Sequence, residues 1–161
     1  MGDITIRDFK ADDIDAVVHL FRDTIRSVNA KDYTKAQLDA WAPETIDNAR
    51  WCEKLLSHYT VVAEKGGIIC GFGDIHKNGY FDHLFVHKNY QGQGVASKIV
   101  AAIEAHAVEK GLTTIEVHVS ITARTYFISK GYVVITPQLV THNGQEFTNY
   151  VMQKIIKNAQ F

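Results

Sequence analysis

The sequence predicts an α+β fold: a mixed, mostly antiparallel sheet flanked by helices, with one central β-α-β crossover. Three observations predict it. Apolar residues recur at helical spacing through residues 14–56, then switch to period two in short runs. Those runs are punctuated by Lys65-Gly66-Gly67 and Asn78-Gly79, both hairpin turns. A glycine-rich junction, Gln91-Gly92-Gln93-Gly94-Val95-Ala96, then joins a strand to a helix, and the strand after that helix returns by a right-handed crossover.

Thr5–Phe9 reads as a short strand, and Ala11-Asp12-Asp13 as the capping signal of a helix whose apolar face is Ile14, Val17, Val18, Phe21 and Ile25. Thr34 opens a second helix carrying Leu38 and Trp41, which Pro43 stops, and Ile46–Leu56 has the pattern of a third. Tyr59–Glu64, Ile68–His76 and Tyr80–His87 make an antiparallel meander. The helix Gly94–Lys110 buries Val95, Ile99, Val100, Ile103 and Ala107 and ends on Gly111 as its C-cap. Thr113–Val119 is a strand, Thr122–Lys130 a short helix, Tyr132–Ile135 a strand, and Gln145–Gln153 closes the sheet.

At 161 residues the chain has the length of one domain with a full core, taken as residues 1–161. With 17 basic against 18 acidic residues it offers no basic footprint for nucleic acid. No apolar run approaches membrane-spanning length, and Met1-Gly2-Asp3-Ile4 has neither the basic nor the apolar region of an export signal. Cys52 and Cys70 fit no disulfide framework and read as reduced, buried thiols, so a cytoplasmic location is expected. His83 and His87 share a strand face, but two imidazoles alone do not make a metal site, and no metal is expected.

A glycine-rich turn opening a helix offers free N–H groups and the positive end of the helix dipole to an anion. The ligand is therefore read as a phosphorylated cofactor. No Gly-Lys-Ser/Thr ends the motif, which excludes a P-loop. Gly92-x-Gly94-x-x-Ser97 with Glu116 about twenty residues on has the spacing of a dinucleotide fingerprint. That fingerprint belongs on the first strand of a parallel sheet, however, and here a meander precedes it.

Gln91-x-x-Gly94-x-Ala96 resembles the Gln/Arg-x-x-Gly-x-Gly/Ala signature of the GCN5-related N-acetyltransferases (GNAT). The resemblance runs through the whole chain. Leu84-Phe85-Val86-His87 is similar to that family's strand before the coenzyme A loop, Ala123…Phe127…Gly131-Tyr132 to its later helix, and Asn149-Tyr150-Val151-Met152-Gln153-Lys154 to its C-terminal strand. The resemblance implies an acetyl-CoA-dependent N-acetyltransferase that moves an acetyl group to a primary amine by direct attack in a ternary complex. The backbone amides of Gln91, Gly92, Gln93, Gly94, Val95 and Ala96 would hold the pyrophosphate, and the pantetheine arm would lie along Leu84, Phe85 and Val86. The N–H of Phe85 or Val86 would polarise the thioester carbonyl.

An attacking amine must lose a proton, and Asp82, His83, Glu116 and His118 are the candidate bases. Strand alternation puts Asp82 and His83 on opposite faces, so without a bulge at most one of them points at the substrate. The family's usual proton-donating tyrosine falls on Phe127, which cannot donate; Tyr126 is adjacent but turned by about 100° on a helix. Either Tyr126 reaches the sulfur, another group or water does, or coenzyme A departs as thiolate, which a thiol pKa near about 8.5 tolerates. Ser120 or Thr122 stands in for an asparagine that the family carries before this helix; Ser120 and Phe127 are counted among the cofactor-binding residues. Tyr33, Trp41, Trp51 and Tyr80 are candidates for the cleft wall. The acceptor is a small-molecule or peptide amine, and homodimers are common in the resembling family. Phe127 also supports an alternative: a non-enzymatic acyl-CoA-binding or regulatory module.

Overall fold

The computed structural model describes residues 3–156, so Met1 and Gly2, part of the tetrapeptide read as no export signal, lie outside the described residues. In chain order it contains β1 (Thr5–Asp8), α1 (Ile14–Ser27), α2 (Lys35–Trp41), α3 (Asn48–Ser57), β2 (Tyr59–Lys65), β3 (Ile68–Ile75), β4 (Tyr80–Val86), α4 (Val95–Glu109), β5 (Thr114–Val119), α5 (Arg124–Ser129), β6 (Val133–His142) and β7 (Gln145–Ile155). Short 3-10 turns cover Ala11–Asp13, Asn29–Asp32 and Lys88–Tyr90. The strands form one sheet in the order β1-β2-β3-β4-β5-β7-β6. Neighbours are antiparallel except β4 and β5, which flank the α4 crossover. This is the α+β architecture expected from the residue pattern. Among the described residues no helix is long and apolar enough to cross a membrane.

Side-chain caps set the helix starts. Thr34 Oγ1 accepts from Gln37 N at 3.1 Å while Gln37 Oε1 accepts from Thr34 N at 2.9 Å, a capping box that opens α2. Asp47 accepts from Arg50 N at 3.1 Å, which is why α3 begins at Asn48 and not at Ile46. The signal at Ala11-Asp12-Asp13 rests on Asp13, whose carboxylate accepts from Lys10 N at 2.8 Å and from Arg7 Nη1 and Nη2 at 2.8 and 2.9 Å. Arg7 also reaches Glu64 at 2.9 Å, tying α1 to the β1–β2 pair.

The strand expected over Tyr132–Ile135 runs on to His142. Pro137 would break an inner ladder, but β6 is the edge of the sheet and tolerates it. Asn143 (φ +48°) and Gly144 (φ +79°) then form the tight turn into β7, which extends past Gln153 to Ile155. Cys70 is buried as expected, whereas Cys52 is half-exposed.

The sheet separates two apolar layers. On one face α4 packs against Val61, Phe81, Ile115 and Met152; on the other α1 and α3 cover Val62 and Phe72. β3 seats α4 by lacking side chains: a Cβ on Gly71 would lie 2.9 Å from Val95 Cγ1, and one on Gly73 2.7 Å from Ile99 Cγ2 and 2.9 Å from the His83 carbonyl. The close approach brings the start of α4 beside the end of β4. Gly73→Ala is therefore an overpacking substitution and should cost about 1–3 kcal/mol. Calorimetry would read this as a Tm drop of about 2–4 °C per kcal/mol in a chain of this size. An unchanged Tm would mean that α4 can back away from β3 without penalty.

β4 departs from regularity at Asp82. His83 pairs with Asp74 and Phe81 with Ile75, which leaves Asp82 as an extra residue with no partner on β3. This β-bulge shifts the alternation by one, so Asp82 and His83 both line the same cavity.

Candidate active site

β4 and β5 pair only at Tyr80↔Glu116 and Phe81↔Val117, although the strands continue to Val86 and Val119. Past Phe81 they splay, and a cavity of about 540 Å³ opens between them. On the far side of β4, His87 N–H donates to the Cys70 carbonyl at 2.9 Å. Alternation along that antiparallel ladder turns the N–H groups of Phe85 and His83 toward β3 and those of Leu84 and Val86 toward the gap. The Val86 carbonyl faces the same way: it accepts from Gln91 Nε2 at 2.6 Å and from Thr24 Oγ1 at 3.4 Å. Of the two donors expected for the thioester carbonyl, Val86 thus faces the gap and Phe85 is committed to β3.

Gly92 (φ +73°) and Gly94 (φ +85°) hold the turn before α4 in the left-handed region, and a Cβ built on either would meet nothing within 4 Å. The first N–H bonded back into the helix is that of Lys98, to Gly94 O at 3.2 Å, so those of Val95, Ala96 and Ser97 have no intrahelical acceptor. No acidic side chain stands in the first turn. Gln93 turns outward to Lys65 Nζ at 2.8 Å, and the Val95 side chain is buried in the core. Lys88 is occupied by Asp23 at 3.5 Å.

Phe127 is a core residue, edge-to-face with Phe81 at 5.8 Å and Tyr132 at 5.1 Å. The hydroxyl beside it belongs to Tyr126, 3.2 Å from Ser97 Oγ in the first turn of α4. Burial pushes that phenol above its ordinary range, so at neutral pH it carries its proton. Ser120 Oγ accepts from Ala123 N at 3.2 Å and so holds the turn that leads into α5.

The ionisable residues fall into two groups. On β4, His83 Nδ1 donates to the buried Asp74 at 2.8 Å, and its Nε2 lies 3.8 Å from Asp82. Burial alone would raise the Asp74 pKa, but the His83 and His58 imidazoles hold it well below the usual carboxylate range. On β5, His118 Nε2 lies 3.2 Å from Glu116, and His118 Nδ1 lies 3.4 Å from the Gln138 amide. Bonds from Gln153 and then His118 lower the Glu116 pKa, so Glu116 is a charged acceptor.

Residues 29–154 match the family described as Acetyltransferase (GNAT) domain. The chain belongs to the GNAT family. It is therefore an N-acetyltransferase by family, with the fold and the strand–turn–helix junction that the sequence resemblance implies. It is 31% identical over 153 residues to the uncharacterised N-acetyltransferase YafP of Escherichia coli K12, covering 95% of this chain and 97% of that one. A crystal structure from Rhodopseudomonas palustris, described as a GCN5-related N-acetyltransferase (aminotransferase, class II), superposes with a TM-score of 0.92 at 28% identity, over 97% of this chain and 98% of that one. The PaiA N-acetyltransferase of Thermoplasma acidophilum, solved with coenzyme A, shares the fold: TM-score 0.80 at 14% identity, over 96% and 99% of the two chains.

In this GNAT chain the cavity gathers Asp82, His83, Leu84, Phe85, Val86, Gln91, Ala96, His118, Ser120, Tyr126 and Phe127. Gly92, Gln93, Gly94 and Val95 flank it at the α4 turn, and Glu116 stands outside it behind His118. Tyr33 and Trp41 do form a wall, with ring centroids 5.3 Å apart and Phe147 6.1 Å from each. Trp51 and Tyr80 do not: Trp51 packs on Phe21 at 4.6 Å and Tyr80 against His118 at 5.0 Å. Phe147 is marked by no motif, and Asn149 only as the first residue of the C-terminal strand, yet both line the cavity. The Asn143-Gly144 dipeptide was the available signal, because it fixes the β6–β7 register and hence which face of β7 meets the cavity. Asn149 Oδ1 is buried there with no hydrogen-bond partner among the described residues.

Proposed function

We propose that the protein transfers an acetyl group from acetyl-CoA to a primary amine by direct attack, with both bound at once. The observation that carries this reading is the β4–β5 splay, which turns two main-chain N–H groups into a cavity that the α4 turn also borders. The residues fit the cosubstrate. The open Gly92–Gly94 turn and the free N–H groups of Val95, Ala96 and Ser97 suit a diphosphate, and the apolar gap along Leu84 and Val86 suits a thin linear arm that pairs like an added strand.

Acetyl-CoA supplies an activated acetyl group; the chain's own residues do the rest. Val86 N–H is the donor aimed at the thioester carbonyl oxygen, a kind of donor whose loss costs about 10²–10³ in kcat where it has been removed. Tyr126, protonated and 3.2 Å from Ser97 Oγ, gives its proton to the coenzyme A thiolate as the thioester C–S bond breaks. His118 takes the proton of the amine. Its Nε2–H is held by Glu116, and its Nδ1 lone pair is met only by the long Gln138 contact, which an incoming amine can displace. Both His83 nitrogens instead face carboxylates, and His76 engages Asp82 at 2.9 Å. The unpartnered Asn149 oxygen is an acceptor for an amine N–H, and the Tyr33–Trp41–Phe147 wall favours an amine carried on an apolar body.

Release of free thiol from acetyl-CoA, followed across small amines, amino acids and short peptides with free N-termini, tests this. Turnover is expected with at least one class, highest for amines on apolar or aromatic bodies. Coenzyme A binding without turnover on any amine would overturn it in favour of a binding module.

A further inference from the structure

Around the bulge in β4 four potential metal ligands converge: His58 just before β2, Asp74 in β3, His76 just after β3 and Asp82 in β4. One ligand atom from each lies within 4.8 Å of all the others. They form two facing pairs, His58 Nδ1 with Asp74 Oδ2 at 2.9 Å and His76 Nε2 with Asp82 Oδ2 at 2.9 Å. The two imidazole rings stack with centroids 3.6 Å apart. The geometry points to a binding site for one divalent first-row transition cation, of the zinc type, held by these four side chains.

Size, charge and ligand chemistry support this independently of the acetyl-transfer reading. Tetrahedral zinc takes nitrogen and oxygen at about 2.0–2.2 Å, which places its ligands about 3.4 Å from one another. The pairs at 2.9 Å must open and the widest one close, movements within the reach of side-chain rotation. Two carboxylates offset the charge of a dication, and Lys54, whose Nζ lies 3.9 Å from Asp82, is on a half-exposed side chain that can swing away. Two imidazoles select zinc, cobalt or nickel over magnesium and calcium, which take oxygen. An outer shell is already in place: His83 Nδ1–H holds the second oxygen of Asp74 at 2.8 Å and fixes its orientation. Asp74 is fully buried, while His58, His76 and Asp82 keep partial exposure, so the site has both an anchor and an entry path. The sequence offers only the Asp74-x-His76 pair at the end of β3, because His58 and Asp82 come from other segments that the β2–β3–β4 meander and the bulge bring to it.

Chelator-treated protein dialysed against Zn²⁺ should take up one equivalent. Co²⁺ should give the intense visible bands of a tetrahedral site. His58→Asn and His76→Asn, outside the proposed transfer machinery, should each weaken Zn²⁺ binding by at least about 100-fold, more than the loss of an outer-shell partner costs. The exposed His19→Asn should leave it unchanged. At a hundredfold excess of free Zn²⁺ over Kd, the wild-type Tm should rise by about 5–10 °C, and Mg²⁺ or Ca²⁺ should not move it. No saturable uptake, the weak octahedral cobalt spectrum, or equal affinity in the His58→Asn and His76→Asn variants would overturn the site and leave a hydrogen-bonded cluster.

Discussion

Gly94→Val should raise the Kd for coenzyme A by about 100-fold or more while leaving the helical and strand content of the protein intact. Gly94 sits at φ +85°, where a β-branched residue is strained by about 1–3 kcal/mol. Relief of that strain rotates the peptide and re-aims the N–H groups that open α4. The new side chain also fills the open space in front of them, where a Cβ now meets nothing within 4 Å. Losing two charge-assisted bonds of about 1.5–3 kcal/mol each accounts for the effect. Titration calorimetry with coenzyme A, beside circular dichroism, measures it. Wild-type affinity in a folded Gly94→Val protein would place the pyrophosphate elsewhere.

The second large effect is expected on the chemistry. His118→Ala should lower kcat by about 10²–10⁴ with the KM for acetyl-CoA little changed, the range for removal of a positioned base. The residual rate should climb steadily with pH, because deprotonated amine then comes from solution alone, up to the pKa of the amine itself. Glu116→Gln should fall between the variant and the wild type: it keeps a neighbour for Nε2 but replaces a charged acceptor with a neutral one. A kcat for His118→Ala within threefold of wild type would pass the base role to Asp82 or His83 on the opposite strand.

Both effects rest on features of very different legibility. The α4 turn is readable from one hexapeptide, because positive φ at glycine and orphan helix N–H groups are local consequences of local residues. The meander before it is readable from Gly66-Gly67 and Asn78-Gly79, and it suffices to separate this fold from a dinucleotide-binding sheet. The proton chemistry is not local. Whether Asp82 and His83 point together depends on one unpaired residue in a strand register, and what meets His118 Nδ1 depends on Gln138, which lies on β6 beyond the stretch of strand that Tyr132–Ile135 announces. Pro137 looks like a terminator until the sheet order shows that β6 has no outer neighbour to lose. Phe127 illustrates the same limit. The motif position alone argues for a missing acid, yet the helix turns Tyr126 to the α4 hydroxyl and Phe127 into the core.

The splay between β4 and β5 has a consequence for solubility. The Leu84 main chain and the Val86 N–H lie past the last β4–β5 pair, on a sheet margin of the kind that recruits foreign strands and seeds aggregation. Outer margins are commonly blunted, as β6 is by Pro137. The margin on β4 needs no such guard, because it lies inside the sheet with β5 standing across from it. A gap of about 540 Å³ admits a slender chain but not a strand that drags its own sheet behind it. The fold can therefore leave its stickiest backbone permanently open to a small molecule while hiding it from other proteins.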